Sequence, residues 1–589
     1  MIIVGIAHTE SIRLHRLDPF PFSALRVPFS QTSMSMYVPF LSETMLHAKG
    51  TLLTIDLTDQ TVEETDIDDI LRDYIGGRGV ATKLAHDRIP FDGDPLGPEN
   101  RIYFSTGPFQ HSAMSFTGRM NATTLSPLTD GLLSTNAGGY LSRNFTGTGH
   151  SIVEVVGTAD ELTAIHITDE GVTFEEVPDL EGALVSEVSE WANENHGLDS
   201  ENLVTIGPAG ENLVRYASTM TFDSRAFGRG GTGAVLGSKN VKTISFAGDA
   251  DTNVEVPADA SSEVHRDAAT KDHIMKRQGT TSGVDTKNEL FSLPTKYFEK
   301  MSFEGVEGIN GAAVEAKKYK KGTCSACAFA CKLPTRDEET GFETEGPEYE
   351  TVFSFGSNLM EGDLLSVMKS NEMCDEFGLD TISAGVSIGA YLAAEDEFGN
   401  TELIHDLVEK IAYREGLGDT LAEGVGRIAD DLGVTNWTSK NLEFPGHDGR
   451  VLYGRGLGYA TSNRGADHMY SKIHNLEYDG AVDPKTLDGK PELLVELENL
   501  KAVNDSAVIC KFSKAHMTNE RYEALFGCSY DELIEAGDRI VELERHFNNQ
   551  RGFDRSDDTL PFELDGFEEA LDEYYELRGW NQDGTIPAL

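Results

Sequence analysis

The pattern of apolar residues changes character near residue 250. Between about residues 50 and 250, short β-branched runs such as "TLLTIDL", "SIVEVVG" and "VKTISFAG" are separated by Gly, Pro and Asp turns, which is typical of strands. Beyond "EVPADASSEVHRDAATKD", segments such as "TELIHDLVEKIAYREG" and "YDELIEAGDRIVELERHFNN" have helical spacing. The pattern predicts an α+β protein with a sheet-rich N-terminal domain followed by two mainly α-helical domains.

Four segments follow from this pattern. Residues 1–44 contain three acids and three arginines, whereas the rest of the chain carries the whole acidic excess. We therefore interpret 1–44 as a non-native or mis-started extension, with translation beginning at Met45. The predicted domains are 45–252, which is sheet-rich, and 253–435 and 436–589, which are helical.

The net charge of the chain limits the classes of partner that it can have. The chain has 99 Asp and Glu against 49 Lys and Arg, a net charge of -50, which is typical of surfaces that stay hydrated in concentrated salt and disfavours a nucleic-acid or anionic-membrane partner. An ordinary acidic enzyme is the less favoured alternative. No apolar run approaches the ~18 residues of a membrane span, so we expect a soluble, cytoplasmic, halophilic protein.

Three of the six cysteines form a C-x2-C-x3-C motif within "KKGTCSACAFACK". Three thiolates do not complete a four-thiolate site, and Cys510 in "NDSAVICKF" is the candidate for the fourth. Structural zinc usually has paired C-x2-C knuckles, so an iron–sulfur cluster fits this spacing better.

The glycine-rich "GRGGTGAVLGSKN" is not a Walker motif, because Ser238 separates Gly237 from Lys239.

Ten segments in order resemble the aldehyde:ferredoxin oxidoreductase family of tungsten-bis(pyranopterin) enzymes, in a halophilic archaeal form. The resemblance spans roughly residues 50 to 560 and rests on these stretches: "IGGRGVATKLAHD", "GPENRIYFSTGP", "SPLTDGLLSTNAGG", "IGPAGENLVRYAS", "GRGGTGAVLGSKNVK", "CSACAFAC", "EGPEYET", "DEFGLDT", "YATSNRGADH" and "DSAVICKF".

The resemblance implies a tungsten bis-pyranopterin (tungstopterin), a [4Fe-4S] cluster and a magnesium ion that bridges the pterin phosphates. The family's D-x-x-G-L-(C/D) motif binds a pterin; "DEFGLD" matches it fully, and "DSAVIC" replaces Gly-Leu with Val508-Ile509. The implied cluster ligands are Cys324, Cys327, Cys331 and Cys510. The implied pterin-binding residues are Asp375, Gly378, Leu379, Asp380, Asp505 and Cys510.

Further roles follow from the same resemblance. Arg78 of "GGRG" would lie between cluster and pterin, and the backbone carbonyl of Asn100 would help to hold magnesium. Glu348 is the first choice for the carboxylate beside tungsten, Glu350 the second, and His468 the histidine partner. We expect a raised pKa for this glutamate, because burial disfavours a charged carboxylate. A helix-start glutamate and a capping histidine are the structural alternatives.

The implied reaction oxidises a small aldehyde with water to a carboxylic acid, and electrons pass through the cluster to ferredoxin. One alternative is a reductive relative that acts on an acid or an aromatic acyl-CoA, and another is a tungsten-free electron-transfer subunit. "LLSVMKSNEMC" lacks the E-x-x-H motif of a bridging metal, so any homodimer would form without one. We hypothesise that acidic ferredoxin docks on a positive island made by Lys317, Lys318, Lys320, Lys321 and Lys332.

Overall fold

The computed structural model describes residues 45–221, 224–251 and 254–587. The predicted extension 1–44 lies outside the described residues. In the described part, strands dominate up to Phe246, and helices dominate from Ala258 onward. This order confirms the predicted α+β class; the division at 435/436 stays a prediction.

Two six-stranded sheets form the N-terminal region. The first contains β1 (Thr51–Asp56), β2 (Thr61–Asp66), β3 (Ile102–Ser105), β4 (Met120–Leu125), β5 (Leu132–Ala137) and β6 (His150–Val156). The second contains β7 (Thr163–Thr168), β8 (Gly171–Glu176), β9 (Leu203–Thr205), β10 (Thr219–Thr221), β11 (Arg225–Phe227) and β12 (Val241–Phe246).

The two sheets repeat one topology. The first has the order β2-β1-β6-β3-β4-β5, and the second, read from its β8 edge, has the order β8-β7-β12-β9-β10-β11. In each sheet one pair is parallel, β1 with β6 and β12 with β7, and the other pairs are antiparallel. Buried Val, Ile, Leu and Phe side chains from both sheets meet in one core.

Short helices connect these strands: α1 (Asp68–Tyr74), α2 (Gly77–Arg88), α3 (Leu141–Thr146), α4 (Val185–His196), α5 (Pro208–Glu211) and α6 (Thr232–Ser238). α2 begins in the "GGRG" segment, where Gly77 has a φ of 35°, a left-handed value that side chains rarely adopt. A Cβ on Gly77 would also collide with the backbone carbonyl of Asp505. Glycine at this position therefore lets the start of α2 contact the second pterin motif directly.

The remaining chain is mainly helical. Its helices are α7 (Ala258–Thr270), α8 (Met275–Gln278), α9 (Val284–Glu289), α10 (Gly311–Lys317), α11 (Tyr349–Thr351), α12 (Leu364–Phe377), α13 (Thr381–Glu395), α14 (Thr401–Tyr413), α15 (Leu417–Leu421), α16 (Val425–Leu432), α17 (Tyr453–Thr461), α18 (Ile473–Tyr478), α19 (Lys490–Ser506), α20 (Asn519–Phe526), α21 (Tyr530–Gln550) and α22 (Phe567–Arg578). Two small hairpins interrupt them: β13 (Pro334–Arg336) with β14 (Glu343–Glu345), and β15 (Thr438–Ser439) with β16 (Leu442–Glu443).

Helix α13 lies at the centre of the largest core. Its sequence "TISAGVSIGAYLAAE" is buried on most sides, and a Cβ on Gly385 would lie 2.6 Å from the carbonyl oxygen of Ser354. The small residue therefore lets α13 pack directly against the π-helical turn Val352–Gly356 that follows α11. Within the part of the chain that the structure describes, no helix is both long and apolar enough to cross a bilayer.

Each sheet presents a Gly-Pro turn to one of the two D-x-x-G-L-type motifs. After β3, Gly107 faces the carbonyl of Ala507, and after β9, Gly207 faces the carbonyl of Phe377; a Cβ on either glycine would lie within 2.6 Å of these groups. Ala507 and Phe377 each stand third in their motif. The repeated sheets therefore hold the two motifs in matching positions.

Candidate functional site

The four predicted cluster cysteines converge at the junction of the sheets and the helices. The Cys327 amide donates to the Cys324 carbonyl at 3.1 Å, and the Cys510 amide donates to Phe116 at 2.7 Å. Burial raises the pKa of Cys327 to about 11 and raises that of Cys331 well above its usual range, and nearby Cys510 contributes to both shifts. All four are free thiols. Buried thiols that influence each other in this way fit a metal cluster, because cations stabilise the thiolate form.

The first pterin motif joins α12 to α13. Gly378 ends α12 with a φ of 72°, and Leu379 forms a bridge with Ala217. Asp375 accepts from the Asn371 side-chain amide at 3.0 Å. Burial, with Glu372 nearby, raises the pKa of Asp375 well above its usual range. A carboxyl group with spare acceptor capacity suits the donor-rich edge of a pterin.

Asp380 has a structural role in addition to any cofactor contact. Its carboxylate caps α13 by accepting from the Ile382 and Ser383 amides, both at 3.2 Å. It also lies 3.2 Å from Arg229 Nε. Because a carboxylate offers about four lone-pair sites, these contacts leave little acceptor capacity for a ligand. Helix capping is therefore the observed function of Asp380 in the described residues.

The second pterin motif ends α19. Asp505 accepts from the Asn136 side chain at 2.8 Å and pairs closely with Lys501. Val508 has a φ of 50°, so it has the left-handed backbone of Gly378 despite its β-branched side chain. The replacement of glycine therefore keeps the backbone conformation of the motif.

Arg78 lies beside Asp505. Its Nε and Nη2 donate to both oxygens of Glu544 at 2.7 and 2.6 Å, and its guanidinium carbon stacks 3.7 Å from the centroid of the Tyr470 ring. Nη1 is 3.6 Å from Asp505 Oδ2 and is buried without a hydrogen-bond partner. A buried cation with an unused donor fits an anionic cofactor group.

Asn100, the expected magnesium ligand, has a lysine beside its backbone carbonyl. Its backbone carbonyl accepts from the Lys239 ammonium at 2.6 Å, so a second cation on this oxygen would face a positive charge. Burial lowers the pKa of Lys239 to about 8, with Arg101 contributing. Lys239 also donates to Gly157 at 3.3 Å and thereby joins β12 to the first sheet. The role of the Asn100 carbonyl toward magnesium stays a prediction.

The two candidate glutamates have different neighbours in the structure. Glu348 precedes α11, and its carboxylate contacts Arg225 at 3.3 Å and accepts from Thr280 at 2.5 Å. Glu350 lies within α11, and its Oε1 is 3.5 Å from Nε2 of His468. Glu348 is the N-cap residue of α11 with an extended backbone, and of the two carboxylates it is Glu350 that reaches the predicted histidine.

A second histidine, which sequence reasoning did not identify, completes this group. His447 Nε2 lies 3.3 Å from Glu350 Oε1, and its Nδ1 is 3.2 Å from the Tyr478 hydroxyl, which lies 3.1 Å from Ser292. His474 stacks on His447 with ring centroids 4.3 Å apart. These residues come from separate loops and from α18, so no local sequence motif marks them.

The pKa of Glu350 is shifted in the direction opposite to the one expected from the sequence. Burial would raise the pKa of Glu350, but His447 beside it lowers that pKa overall. Burial lowers the pKa of His447 to about 4, and burial with His447 nearby lowers that of His468 well below its usual range. At neutral pH the site thus holds an ionised Glu350 and two neutral imidazoles, and the predicted raised pKa is wrong.

Lys511 links this group to the cysteine site. Lys511 follows Cys510 directly. Burial raises the pKa of Glu350, and His447 with a smaller contribution from Lys511 lowers it overall; burial, His447 and Lys511 all lower the pKa of His468. Glu350, His447 and His468 bring three possible ligand atoms within 4.8 Å. A cation there would be repelled by Lys511, so we interpret the group as an acid–base site.

Arg229 is a further residue that the sequence analysis missed. It lies in the glycine-rich segment before α6 and donates to Ala466 at 3.1 Å and to Glu443 at 2.7 Å, in addition to its contact with Asp380. Arg78 with Asp505 and Arg229 with Asp380 thus form two buried arginine–aspartate pairs, one at each motif. The similarity of "GGRG" to "GRGG" was the signal that could have revealed it.

The proposed positive island is smaller than the sequence indicates. Lys332 is only 3% exposed, because it pairs with Gly322 in a β-bridge behind the cysteine loop. Lys317 pairs closely with Asp337, which neutralises its charge, and Lys318 donates to the Lys276 carbonyl at 3.0 Å. Lys320 and Lys321 are exposed. We therefore correct the island to these two exposed lysines.

Comparisons with known proteins identify the family of this chain. The family model described as "Aldehyde ferredoxin oxidoreductase, N-terminal domain" matches residues 52–248. The family model for "Aldehyde ferredoxin oxidoreductase, domains 2 & 3" matches residues 255–588. The chain belongs to the aldehyde ferredoxin oxidoreductase family, a family of oxidoreductases.

Individual relatives agree with this assignment. The chain is 35% identical to the tungsten-containing aldehyde ferredoxin oxidoreductase of Pyrococcus furiosus, over 91% of this chain and 97% of that protein. The corresponding protein of Thermococcus kodakarensis is 34% identical, with the same coverage. A more distant relative is the WOR-like subunit of an aliphatic sulfonate oxidoreductase from P. furiosus, at 25% identity over 84% of this chain and 85% of that protein.

Among solved structures, the BamBC active-site complex of benzoyl coenzyme A reductase aligns with a TM-score of 0.78. It covers 92% of this chain and 96% of that chain at 21% sequence identity. This likeness shows a shared fold and nothing about the substrate. The relatives support a tungsten-pterin cofactor at the family level.

Proposed function

We propose that this protein oxidises an aldehyde with water to a carboxylic acid, releasing two electrons and two protons per turnover, with ferredoxin as the electron acceptor. The observation that carries the proposal is the buried Glu350–His468–His447 group, which lies next to Lys511 and hence to the cysteine site. The relatives at 34–35% identity support the aldehyde rather than another substrate.

This chain offers residues for each part of the cofactor. Asp375 and Asp505 would accept hydrogen bonds from the pterins, Arg78 would donate its unused Nη1 to an anionic group, and Cys324, Cys327, Cys331 and Cys510 would bind a [4Fe-4S] cluster. When bound, the tungsten-pterin group supplies the two-electron redox chemistry, which the side chains themselves do not provide.

Glu350 is the proposed general base. Its ionised carboxylate accepts a proton from the water that attacks the aldehyde carbon, and the neutral Nε2 atoms of His447 and His468 lie on the same oxygen. From Glu350, the sequence His447, Tyr478 and Ser292 forms a chain of polar atoms with steps of 3.3, 3.2 and 3.1 Å. This chain offers a route for the proton away from the reaction site.

His468 is proposed to orient the substrate. Its Nδ1 is buried and has no hydrogen-bond partner, so one side of the ring is free to bind a polar atom of substrate or water. With its proton on Nε2, toward the ionised Glu350, a neutral imidazole accepts at Nδ1 and would hold the attacking water there.

Dye-linked assays of the tungsten-loaded protein in concentrated salt test the proposal. A panel of aliphatic and aromatic aldehydes should give reduced dye and the matching acid in equal amounts. Absence of turnover with every aldehyde, together with reduction of an acid or an acyl-CoA, would support the reductive alternative. Iron without tungsten in a folded protein would support the electron-transfer subunit.

A further inference from the structure

A second group of metal-binding side chains lies on the second sheet, away from the cysteines and the pterin motifs. It consists of His166 on β7, Glu175 on β8 and His196 at the end of α4. One ligand atom from each lies within 4.8 Å of the other two. We call these three residues the edge cluster, because β8 is the edge strand of the sheet.

The sheet register explains why these residues meet. His166 pairs with Thr173 across β7 and β8, and Glu175 lies two residues farther along, so the two side chains share a face of the sheet. Helix α4 covers that face and ends at His196, where Gly197 takes the left-handed conformation. Three separate elements therefore contribute one side chain each.

The distances suit a small divalent ion. The Nε2 atoms of His166 and His196 lie 3.2 and 2.9 Å from the same carboxylate oxygen of Glu175, Oε2. Nitrogen and oxygen ligands bind zinc at about 2.0–2.2 Å, and tetrahedral geometry then places neighbouring ligand atoms about 3.3–3.5 Å apart. A small outward movement of the side chains would admit the ion without any change of backbone.

A neighbouring side chain holds one ligand in the required orientation. The Ser245 hydroxyl on β12 lies 2.8 Å from His166 Nδ1, and Ser245 is buried at 2% exposure. Metal-bound histidines almost always use their other ring nitrogen in such a hydrogen bond, which fixes the ring. His166 is itself 14% exposed, whereas Glu175 is 41% exposed, so solvent reaches the cluster and could supply a fourth ligand.

The geometry points to a binding site for a divalent transition-metal ion of the zinc class, held by His166, Glu175 and His196 and fastening α4 to the edge of the second sheet. Two imidazoles with one carboxylate favour zinc, cobalt or nickel over magnesium or calcium, which prefer oxygen ligands. At its other end, α4 is tied to the first pterin motif, because the Ser186 amide donates to Glu376 at 3.0 Å.

Zinc uptake by the holoenzyme tests this proposal. After dialysis against Zn²⁺ with excess Mg²⁺, the wild-type protein should retain one more zinc than the His196→Ala and Glu175→Gln variants, measured by elemental analysis beside tungsten and iron. Glu190→Gln is the matched control, because Glu190 is exposed on the same helix and lies outside the cluster. This control should retain zinc as the wild type does.

The Ser245→Ala variant provides an independent readout. It keeps all three ligands and should weaken zinc binding by about 10- to 100-fold, as is usual when a hydrogen bond to a metal-bound histidine is lost. Zinc should also raise the melting temperature of the wild type and of Glu190→Gln, but not of Glu175→Gln. Equal zinc content in the wild type and in both ligand variants, with no shift in melting temperature, would overturn the proposal.

Discussion

Val508 in the second pterin motif has the same left-handed backbone as Gly378 in the first, with φ values of 50° and 72°. A β-branched residue in this conformation is strained, and Val508 is also fully buried, at 1% exposure. Its side chain packs toward Gly107, which has no side chain of its own. Glycine at position 107 therefore leaves room for the Val508 side chain.

The first prediction concerns these two positions. Gly378→Ala should lower the free energy of unfolding by about 1–2 kcal/mol, the usual penalty for a left-handed residue other than glycine. The new Cβ would in addition lie 3.0 Å from the Gly207 amide nitrogen. Val508→Gly should change stability by less than about 1 kcal/mol, since relief of strain offsets the loss of buried methyl groups. Denaturant titrations in concentrated salt measure both. Equal losses in the two variants would contradict the argument.

A second prediction concerns pH. Burial lowers the pKa of His447 to about 4, below its value of about 6.5 in an unfolded chain. The unfolded state therefore binds more protons between these values, so His447 contributes stability above about pH 6.5 that is lost as the pH falls toward 4, on the order of 3 kcal/mol.

The His447→Gln variant checks this sign. Carboxylates throughout the chain also lose stability in acid, so the informative quantity is the difference in free energy of unfolding between wild type and variant. That difference should shift in favour of the variant as the pH falls from 6.5 to 4.5. A difference that stays constant over this range would show that His447 is not a buried neutral imidazole.

The third prediction concerns the electron acceptor. Replacement of Lys320 and Lys321 by Glu should slow reduction of an acidic ferredoxin several-fold at low salt, mainly through the association rate, and less so as salt screens the charges. Turnover with a small neutral dye should not change. Lys369→Glu, at an exposed lysine of α12, is the control for net charge; an equal effect in this control would remove the docking role.

The fourth prediction separates cluster cysteines from the others. Cys510→Ser should lower the iron content of the purified protein and abolish electron transfer to ferredoxin, because a four-thiolate cluster loses one ligand. Cys528→Ser is the matched control, since Cys528 is a half-buried free thiol near the end of the chain and outside the motif. Full iron content in Cys510→Ser would exclude Cys510 as a ligand.

Much of the fold could be predicted from sequence, because apolar spacing and turn residues report local structure directly. The repeat of the two sheets was not predicted: equivalent strands such as "TLLTID" and "TAIHIT" share little beyond alternation. Topology depends on which strands pair across about one hundred residues, as β1 does with β6, and no local pattern records that pairing.

The site was predictable only where its residues lie in short local motifs. The C-x2-C-x3-C spacing identified three of the cysteines, and the family resemblance identified the aspartates, because both lie in short motifs. The choice between Glu348 and Glu350 depended on where α11 begins, and His447 reaches Glu350 from a distant loop. Lys332 looked like a surface charge because sequence alone does not show that it pairs with Gly322. Long-range packing decided each of these cases.

The central claim is that Glu350, and not Glu348, acts on the substrate in an aldehyde oxidation. The most direct measurement is kcat for dye-linked aldehyde oxidation by Glu350→Gln and Glu348→Gln, each checked for unchanged tungsten and iron. We predict a loss of about 10²- to 10⁴-fold for Glu350→Gln, the usual contribution of a general base, and a loss below 10-fold for Glu348→Gln. Near wild-type turnover by metal-loaded Glu350→Gln would contradict the account.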